Sequence, residues 1–430
     1  MTLIKAIKGI FFKDSFDFSE PDIDLYTFHP QLRIFIAPLG IFFNNRKSLL
    51  RFLWPFINGS LSIVAIVLEM IFVYHGITVG DYSFATECFC YFVMLSVIPV
   101  LYCAVLANSQ SVMVLLDKMD KDFEYICKLG AKYRDHFLQR QLLIWQLCWI
   151  WLGFLCCVAV LYTLMTLAPL TYQTLIATQD ENMIRPLLFP MWLPEDDPYR
   201  TPNYEIFLFL QLDYLLIFIQ SFGVYVYIQF HVLLHNFTVL ELVTFDFDVI
   251  FEGLDKSVVD LPRDDLRRLT VQRVFNRRLK RVATWHDSVF KSIGTLSRVQ
   301  GPVIVYQVMF SSLCICLMMY QVADKLDKGT FDILFIMLTV AGITQLWIPC
   351  YLGTLLRNKA FDVADACWNC GWHETPLGRM IRPDIIIVIM RAQHPISIKF
   401  TGLPNLSLET FSSIMSSAYS YFNMLRQYNR

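Results

Sequence analysis

The sequence predicts an all-α integral membrane protein with seven transmembrane helices, a cytoplasmic N-terminus, an extracellular C-terminus and a cytoplasmic helical anchor region. Of the 430 residues, 56% are hydrophobic and 17% are charged, whereas a soluble domain carries about 25% charged residues. The hydrophobic residues occur in uncharged runs as long as the roughly 20 residues that cross a bilayer. The formal net charge of −1 gives the chain no positive field for nucleic acid, so that class of partner is excluded.

Six hydrophobic runs have the length of a membrane span, and a seventh run near the C-terminus is weaker because it contains many serines. The predicted spans are Phe52–Val79, Phe84–Ala107, Leu142–Ala168, Ile206–Leu234, Val303–Val322, Ile333–Leu356 and Leu406–Leu425. No signal with a short apolar core precedes the first span, so we expect that span to direct its own insertion. The predicted organisation is an N-terminal cytoplasmic segment (1–51), a six-helix bundle (52–356) with a cytoplasmic extension (255–298), an anchor segment (357–402) and a seventh helix (403–430).

Lysine and arginine residues predict the orientation, because they concentrate in the cytoplasmic loops of membrane proteins. Seven lie in the first 52 residues, six lie between 118 and 140, and eleven lie between 256 and 298. The loop at 171–203 contains only two, against five acidic residues. The N-terminus is therefore predicted to be cytoplasmic, which is the reverse of a G-protein-coupled receptor. The Asp-Arg-Tyr and Asn-Pro-x-x-Tyr motifs of that class are also missing from the expected spans.

The basic segment 261–298 has apolar residues at helical spacing between its arginines. This pattern predicts a cytoplasmic extension of the fifth helix. Its basic face is either a solvated surface or a contact surface for a cytoplasmic subunit, and the sequence leaves both interpretations open.

The twelve cysteines lie mostly within hydrophobic runs, which favours buried free thiols over a disulfide framework. Only Cys367, Cys370 and His373 have the spacing of metal ligands. A structural zinc site needs four ligands, usually as two such pairs, and the sequence contains no second pair, so we expect no metal. No nucleophile elbow, phosphate-binding loop or pair of histidines indicates an enzyme, and we expect no catalytic residues and no cofactor.

The seventh helix has a polar stripe, because its small, hydroxyl and amide residues fall on one face about 160° wide when each residue turns about 100°. Such a stripe is either a close seam between helices, where small residues let backbones approach, or the wall of an aqueous pore. One helix cannot enclose a pore, so the second interpretation also predicts a cyclic oligomer. The candidate pore residues are Ser413, Ser417, Ser420, Met424, Gln427 and Tyr428, with Met424 as a hydrophobic constriction.

Aromatic residues and methionines crowd the outer halves of the other spans, which indicates either ordinary packing or an apolar pocket for a small volatile or fatty ligand. The candidate pocket residues are Tyr91, Phe92, Leu95, Trp151, Phe154, Cys157, Phe209, Tyr214, Met318, Met319, Tyr320 and Phe335. Five prolines between 186 and 202 prevent regular helix in the loop above them. This loop, with the apolar residues Phe189 and Trp192, is either a lid or an ordinary surface loop. Glu69 and Asp213 are charged residues within spans and are either functional or structural acids.

The C-terminal sequence resembles the insect odorant receptor family. The segments MRAQHP (390–395) and LPNLSLETFSSIMSSAYSYFNMLR (403–426) are similar to the signature of that family, most of all to its moth sex-pheromone receptor branch. The resemblance implies a multi-pass receptor in the plasma membrane of olfactory sensory neurons, surrounded by membrane lipid, whose seven helices join at their inner ends in a shared anchor.

The same resemblance implies a ligand-gated cation channel that forms a heterotetramer with the co-receptor Orco and binds a small hydrophobic pheromone. Matching Ser420 and the two residues after it to the last helix of the family places the gate at Met424, beside Gln427 and Tyr428. This placement agrees with the polar stripe on the seventh helix.

Overall fold

The computed structural model describes residues 23–41, 49–175, 185, 187–394, 396–398 and 405–428, with the backbone alone at 174, 175 and 428. Sequence predictions that fall on other positions, including the segment 1–22 and the first residues of the seventh helix at 403 and 404, lie outside the described residues. The side chain of Tyr428, a candidate pore residue, also lies outside the described part.

The described residues form eleven α-helices, joined by turns and by three short 3₁₀ segments at Ala37–Leu39, Leu49–Phe52 and Lys256–Asp260. In chain order the helices are α1 (Leu25–Phe28), α2 (Gln31–Ile36), α3 (Leu53–Val79), α4 (Tyr82–Ala107), α5 (Ser109–Cys127), α6 (Ala131–Leu175), α7 (Asn203–Asp248), α8 (Leu266–Asp327), α9 (Ile333–Asn369), α10 (Gly378–Ala392) and α11 (Leu408–Tyr428).

Six of these helices, α3, α4, α6, α7, α8 and α9, are long and apolar enough to cross a membrane. The six strong spans predicted from the sequence are therefore confirmed as apolar helices of spanning length. The seventh predicted span forms the helix α11, which has 21 residues and is less apolar because of its serines.

Several helices are much longer than the hydrophobic runs within them. Helix α8 has 62 residues, about 90 Å at 1.5 Å per residue, whereas a bilayer core is about 30 Å thick. Residues 266–298 of the predicted extension are one uninterrupted helix with the fifth span, whereas residues 261–265, which were predicted to belong to it, form a non-helical connection after the 3₁₀ segment Lys256–Asp260. Hydropathy marks only the part of a helix that matches lipid, because the remainder is amphipathic and packs against other protein segments.

The ends of the long helices that lie away from the loop at 187–202 form a densely packed unit, which we call the anchor region. It consists of α1, α2, α5 and α10 with residues 131–145 of α6, 229–248 of α7, 266–300 of α8 and 350–369 of α9, and its hydrophobic core continues into the other halves of the long helices through residues such as Trp151 and Tyr214. Large side chains such as Phe123, Phe137, Phe247 and Phe275 are fully buried there. The remaining parts of α6–α9, together with α3, α4 and α11, form what we call the span bundle.

Ion pairs between buried carboxylates and partly exposed arginines join the helices of the anchor region. Arg281 of α8 donates from Nε to Asp246 Oδ2 of α7 at 2.7 Å and from Nη2 to the other carboxylate oxygen. Tyr133 of α6 donates its hydroxyl to the same aspartate at 2.6 Å. Glu241 of α7 pairs with Arg140 of α6 at 2.5 Å. These bonds fix α6, α7 and α8 against one another at their charged ends.

A polar chain also crosses the anchor region. The Gln141 side chain lies 3.2 Å from His29 Nε2 and 3.3 Å from His235 Nδ1, and His235 Nε2 lies 3.2 Å from Asp122 Oδ2. Lys118 of α5 donates to Ser292 Oγ of α8 at 2.6 Å. Burial lowers the pKa of Lys118, while the neighbouring Asp122 opposes that shift. The N-terminal segment is thereby tied to α5, α6, α7 and α8.

Candidate functional site

An apolar cavity of about 150 Å³ lies in the span bundle between α4, α6, α7, α8 and α9. Five of the twelve pocket residues predicted from the sequence line it: Tyr91, Leu95, Trp151, Tyr214 and Met318. The structure therefore brings together predicted residues from four different spans at one cavity.

The other seven predicted residues do not line the cavity. Phe335 is buried directly behind it, with its ring centroid 5.9 Å from that of Tyr91. Cys157 and Phe209 are exposed on the outside of the bundle, and Phe209 is 73% exposed. The remaining four, which pack beside the cavity wall or are buried away from it, are Phe92, Phe154, Met319 and Tyr320. Hydropathy placed these residues at about the right depth, but it does not specify which face of a helix points inward.

Sequence reasoning missed several lining residues that a helical repeat could have found. Along α6 the lining residues are Trp151, Leu155, Val158 and Tyr162, which recur at spacings of three and four. This spacing places all four on one face of a helix. Gln307 and Ser311 follow the same repeat with Cys314 and Met318, and Gly342 and Gln345 follow it with Leu338. A search for aromatic residues and methionines passes over them, because they are polar or lack a side chain.

Few polar atoms reach the cavity wall, and some already have partners. The hydroxyl of Tyr306 donates to the Val93 carbonyl at 2.8 Å. By contrast, Trp151 Nε1, Tyr214 Oη and Gln345 Nε2 are buried without a hydrogen-bond partner among the described residues. An indole N–H can only donate, and a tyrosine hydroxyl can donate or accept. The cavity can therefore hold an apolar molecule, and a hydrogen-bond acceptor on that molecule would reach these buried atoms once their side chains turn toward it.

The loop before α7 is packed into the bundle above this cavity. Gln211 of α7, which is 1% exposed, accepts from the backbone N–H groups of Leu188 and Phe189 at 2.8 and 3.2 Å. Its amide also donates to the Phe189 carbonyl at 2.9 Å. The Phe189 ring lines the cavity and lies 4.6 Å from the Tyr91 ring. The arrangement favours the lid interpretation of this loop, of which residues 176–184 and 186 lie outside the described part.

Glu69, the acid predicted to lie within the first span, is buried near this loop. Its side chain is 5% exposed on α3, and its Oε2 atom has no hydrogen-bond partner among the described residues. Phe72, Cys88 and Met191 form a small apolar cluster in the same part of the bundle. Asp213 is half-buried on α7, and neither acid lines the cavity.

Helix α11 presents two different faces. Ile414 and Ala418 are buried against the bundle, whereas Met424 is 62% exposed. The serines at 413 and 420 and Gln427 are exposed, and Ser417 is half-buried. Ser417 Oγ donates to the Ser413 carbonyl at 3.0 Å, and Ser420 Oγ to the Ser416 carbonyl at 2.9 Å. Within the described residues, the polar stripe is therefore not a seam against another helix of the same chain.

The buried face of α11 shares a packed cluster with the cavity wall. Ile414 and Ala418 belong to the same group of buried apolar residues as Tyr91, Met318 and Leu338, and the last three line the cavity. A change in the shape of the cavity therefore acts on side chains that directly support α11.

Ion pairs hold α11 at both ends. Glu409, in its first turn, pairs with Arg357 of α9 at 3.3 Å. Arg426, in its last turn, pairs with Asp327 of α8 at 3.3 Å. The side chains of the second pair are 40% and 64% exposed, so this pair contributes little to stability.

The cysteines and the suspected metal ligands show no further site in the described chain. All twelve cysteines are free. Cys370 Sγ donates to the Cys367 carbonyl at 3.1 Å, and no three His, Cys, Asp or Glu side chains of the described residues converge as metal ligands.

Comparison with known sequences identifies a family across most of the chain. A model of the 7tm odorant receptors matches residues 81–419. Odorant receptor 13a of Drosophila melanogaster is 28% identical over 159 residues, which are 35% of this chain and 38% of that protein. Odorant receptor 10 of Aedes albopictus is 21% identical over 245 residues, or 57% of this chain and 61% of that protein. The chain thus spans about two fifths of the first of these curated relatives and three fifths of the second.

Solved structures share the fold. The insect olfactory receptor OR5 from Machilis hrabei superposes with a TM-score of 0.69 at 15% identity, over 93% of this chain and 98% of that one. The same receptor in complex with eugenol gives a TM-score of 0.72 at 15% identity, over 94% and 98%. The arrangement of long helices described above is therefore the arrangement of that receptor.

Proposed function

Because this chain belongs to the insect odorant receptor family, we propose that it is the ligand-sensing subunit of a ligand-gated, non-selective cation channel. The observation that carries this proposal is the cluster of buried apolar side chains that the cavity residues Met318 and Leu338 share with Ile414 and Ala418 of α11. A receptor needs a site for its ligand and a direct connection from that site to the part that responds. In this proposal the cavity and α11 supply both within one packed group of side chains.

The proposed ligand is a long-chain, apolar, pheromone-like alcohol or aldehyde. The cavity wall is apolar, and the buried Trp151 Nε1 and Tyr214 Oη lack partners among the described residues. An unpaired buried donor costs free energy, which a ligand oxygen would recover by accepting a hydrogen bond. A hydrocarbon of the same length would fill the cavity but leave the indole N–H unpaired.

The proposed pore is lined by the polar stripe of α11, with contributions from Ser413, Ser417 and Ser420 and a hydrophobic constriction at Met424. The exposure of this face is what supports the assignment, because a row of hydroxyls is unfavourable against lipid. Gln427 and Tyr428 follow Met424 in the sequence and would form the outer mouth. Met424 would prevent conduction by excluding water when the constriction is narrow.

Gating by this arrangement requires the ligand to bind the open form more tightly than the closed form. A ligand in the cavity contacts Tyr91, Met318 and Leu338, and these residues support Ile414 and Ala418. We propose that the bound ligand stabilises a position of these side chains that moves α11 and widens the constriction at Met424.

We propose a heterotetramer with the co-receptor Orco in the plasma membrane of olfactory sensory neurons, with seven spans and a cytoplasmic N-terminus. The bias of lysine and arginine residues supports this orientation, and α11 alone cannot enclose a pore. The similarity of segments 390–395 and 403–426 to the moth sex-pheromone receptor branch supports a pheromone as the ligand.

Whole-cell current tests the proposal most directly. The chain is co-expressed with an insect co-receptor in cells whose G proteins are blocked, and long-chain unsaturated alcohols and aldehydes are applied with the matching hydrocarbons. A fast inward cation current that requires both subunits is expected. If surface-expressed protein binds the ligand without any current, the alternative function, a non-channel receptor or transporter for small hydrophobic molecules, replaces the channel.

Conservative variants test the ligand class in the same cells. Trp151→Phe keeps an aromatic ring but removes the N–H, and Tyr214→Phe removes only the hydroxyl. Loss of one net hydrogen bond predicts about a tenfold rise in the half-activating concentration of alcohols or aldehydes. Responses to a hydrocarbon, where present, are expected to be unchanged. Equal losses for oxygenated ligands and hydrocarbons would contradict the role of these groups as donors.

A further inference from the structure

Helices α8 and α9 approach each other closely at one glycine of the cavity wall. A Cβ atom built on Gly342 of α9 would lie 2.9 Å from Cε of Met318 and 3.9 Å from its Sδ. Real Cβ atoms do not come that close to another carbon, so the end of the Met318 side chain occupies the space that any side chain at position 342 would need. Both residues line the cavity.

We propose that the contact between Gly342 and Met318 sets the greatest length of ligand that the cavity accepts. The proposal rests on the proposed function, in which this cavity holds the ligand. It assigns to Gly342 and Met318 the selection among homologous ligands by chain length. Because residue 342 is a glycine, the methyl group of Met318 can lie against the backbone of α9. The part of the cavity beside Met318 then stays open for the ligand.

The packing around Met318 determines where its side chain would move. Met318 is 2% exposed and belongs to a close-packed cluster with Cys90, Tyr91 and Phe335. Protein interiors contain few voids larger than a water molecule, so the cavity, which Met318 lines, is the space expected to receive a displaced methyl group. Methionine is unbranched and flexible, and it can turn into the cavity without moving a helix.

The test is the variant Gly342→Ala, measured with a homologous series of unbranched primary alcohols and a matching series of aldehydes. The chain is co-expressed with the co-receptor, and surface protein is quantified for every variant. We expect the longest active members to lose about tenfold or more in half-activating concentration, since one methylene more or less in an apolar pocket changes selectivity by about that factor. The shortest active members are expected to change little.

A second variant identifies Met318 as the residue that moves. Met318→Ala in the Gly342→Ala background removes the displaced side chain and is expected to restore the response to the longest ligands relative to the shortest. A weakened connection between Met318 and the α11 cluster would lower the responses to all lengths together and leave that ratio unchanged. A double-mutant cycle measures this coupling. Gly153→Ala and Gly294→Ala serve as matched controls, because a Cβ atom at either position meets nothing within 4 Å, and both are expected to keep the wild-type length profile.

A variant that fills the cavity distinguishes the role of Gly342 in ligand length from the role of the cavity as the ligand site. Ala341→Trp fills the cavity from the neighbouring position of α9, where Ala341 also lines it. If Ala341→Trp abolishes ligand responses but Gly342→Ala weakens all lengths equally, or weakens none, the length inference is overturned and the cavity remains the site. If responses persist in surface-expressed Ala341→Trp, the cavity is not the ligand site and both proposals fail.

Discussion

The anchor region and the span bundle are built largely from the same long helices, but their interiors differ around the cavity. In the anchor region, charged pairs such as Arg281 with Asp246 and Arg140 with Glu241 join neighbouring helices. In the span bundle, ion pairs such as Lys325 with Asp332 lie at the helix ends, whereas apolar contacts surround the cavity and the buried polar atoms of Trp151 and Tyr214 lack partners among the described residues.

This difference indicates which part of the molecule can change shape. Charged hydrogen bonds are directional, and separating a buried pair is costly. Apolar contacts are non-directional, and side chains beside a cavity have space to move. We infer that the anchor region is a fixed frame and that the span bundle rearranges when a ligand binds.

Breaking an anchor ion pair is expected to have the largest effect. Asp246 has a fully buried side chain, so Asp246→Ala leaves the partly buried Arg281 without its partner. A loss of about 3–5 kcal/mol in stability is expected, seen as little protein at the cell surface and a lower melting temperature after purification.

The control for this variant is Asp287→Ala on the same helix as Arg281. Asp287 pairs with Lys291 at 2.6 Å, but the two side chains are 52% and 77% exposed, so less than about 1 kcal/mol should be lost. Equal surface expression of Asp246→Ala and Asp287→Ala would contradict the account of the anchor region as a frame held by buried charges.

The next largest effect is expected from opening the proposed constriction at Met424. This change acts on the span bundle and leaves the anchor region unaltered. Met424→Ser replaces the proposed hydrophobic gate with a small polar residue, so water and ions should pass without ligand. Unliganded current is expected to rise severalfold at normal surface expression. The matched control is Met309→Ser on α8, because Met309 is 61% exposed and Met424 is 62% exposed. An unchanged leak and ligand response in Met424→Ser would remove α11 from the pore.

Release of the loop above the cavity should have a moderate effect. Gln211→Leu keeps the size of the side chain but leaves the loop groups at Leu188 and Phe189 without their partner, at a cost of about 1–3 kcal/mol. Faster decay of the current after ligand is washed out is expected, because the cavity is covered less firmly. Gln220→Leu, also on α7, loses only one 3.4 Å contact with Trp54 and should decay at the wild-type rate. Identical decay rates would show that the loop does not retain the ligand.

The smallest expected effect concerns the exposed ion pair at the end of α11. Arg426→Gln removes the contact with Asp327, and exposed pairs contribute about 1 kcal/mol or less. We expect at most a fewfold change in the half-activating concentration, without a change in stability. A loss of surface expression comparable with that of Asp246→Ala would show that this end of the bundle is as rigidly held as the anchor region.

The sequence predicted the parts of the fold that depend on composition along the chain. The six apolar spans and most of the helical extension predicted at 261–298, which begins at Leu266 in the structure, were predicted correctly, because hydropathy and helical spacing are local properties. The polar stripe on α11 was predicted for the same reason, and its exposure in the structure agrees with it. Its role as a pore stays a proposal.

The cavity was predicted only in part, because its wall depends on how helices turn toward one another. Cys157 was predicted instead of its neighbour Val158, which lines the cavity. The contact of Gly342 with Met318 joins residues 24 positions apart, and Gln211 holds a loop about 22 residues before it. No periodicity along the chain indicates such contacts, since they arise only when the helices pack.

The central claim is that ligand in the cavity opens a pore lined by α11, and the access of a charged thiol reagent from outside tests it most directly. Single cysteines are introduced at Gln427, Ser420 and Ile414, and the wild-type chain provides the baseline for its own twelve cysteines. Gln427→Cys lies outside the proposed gate, Ser420→Cys lies one helical turn inside it, and Ile414→Cys lies on the buried face.

We predict that the reagent alters current through Gln427→Cys with or without ligand, through Ser420→Cys only while ligand is present, and never through Ile414→Cys. Modification of Ser420→Cys at the same rate without ligand, or modification of Gln427→Cys alone under all conditions, would contradict a ligand-opened pore along this helix.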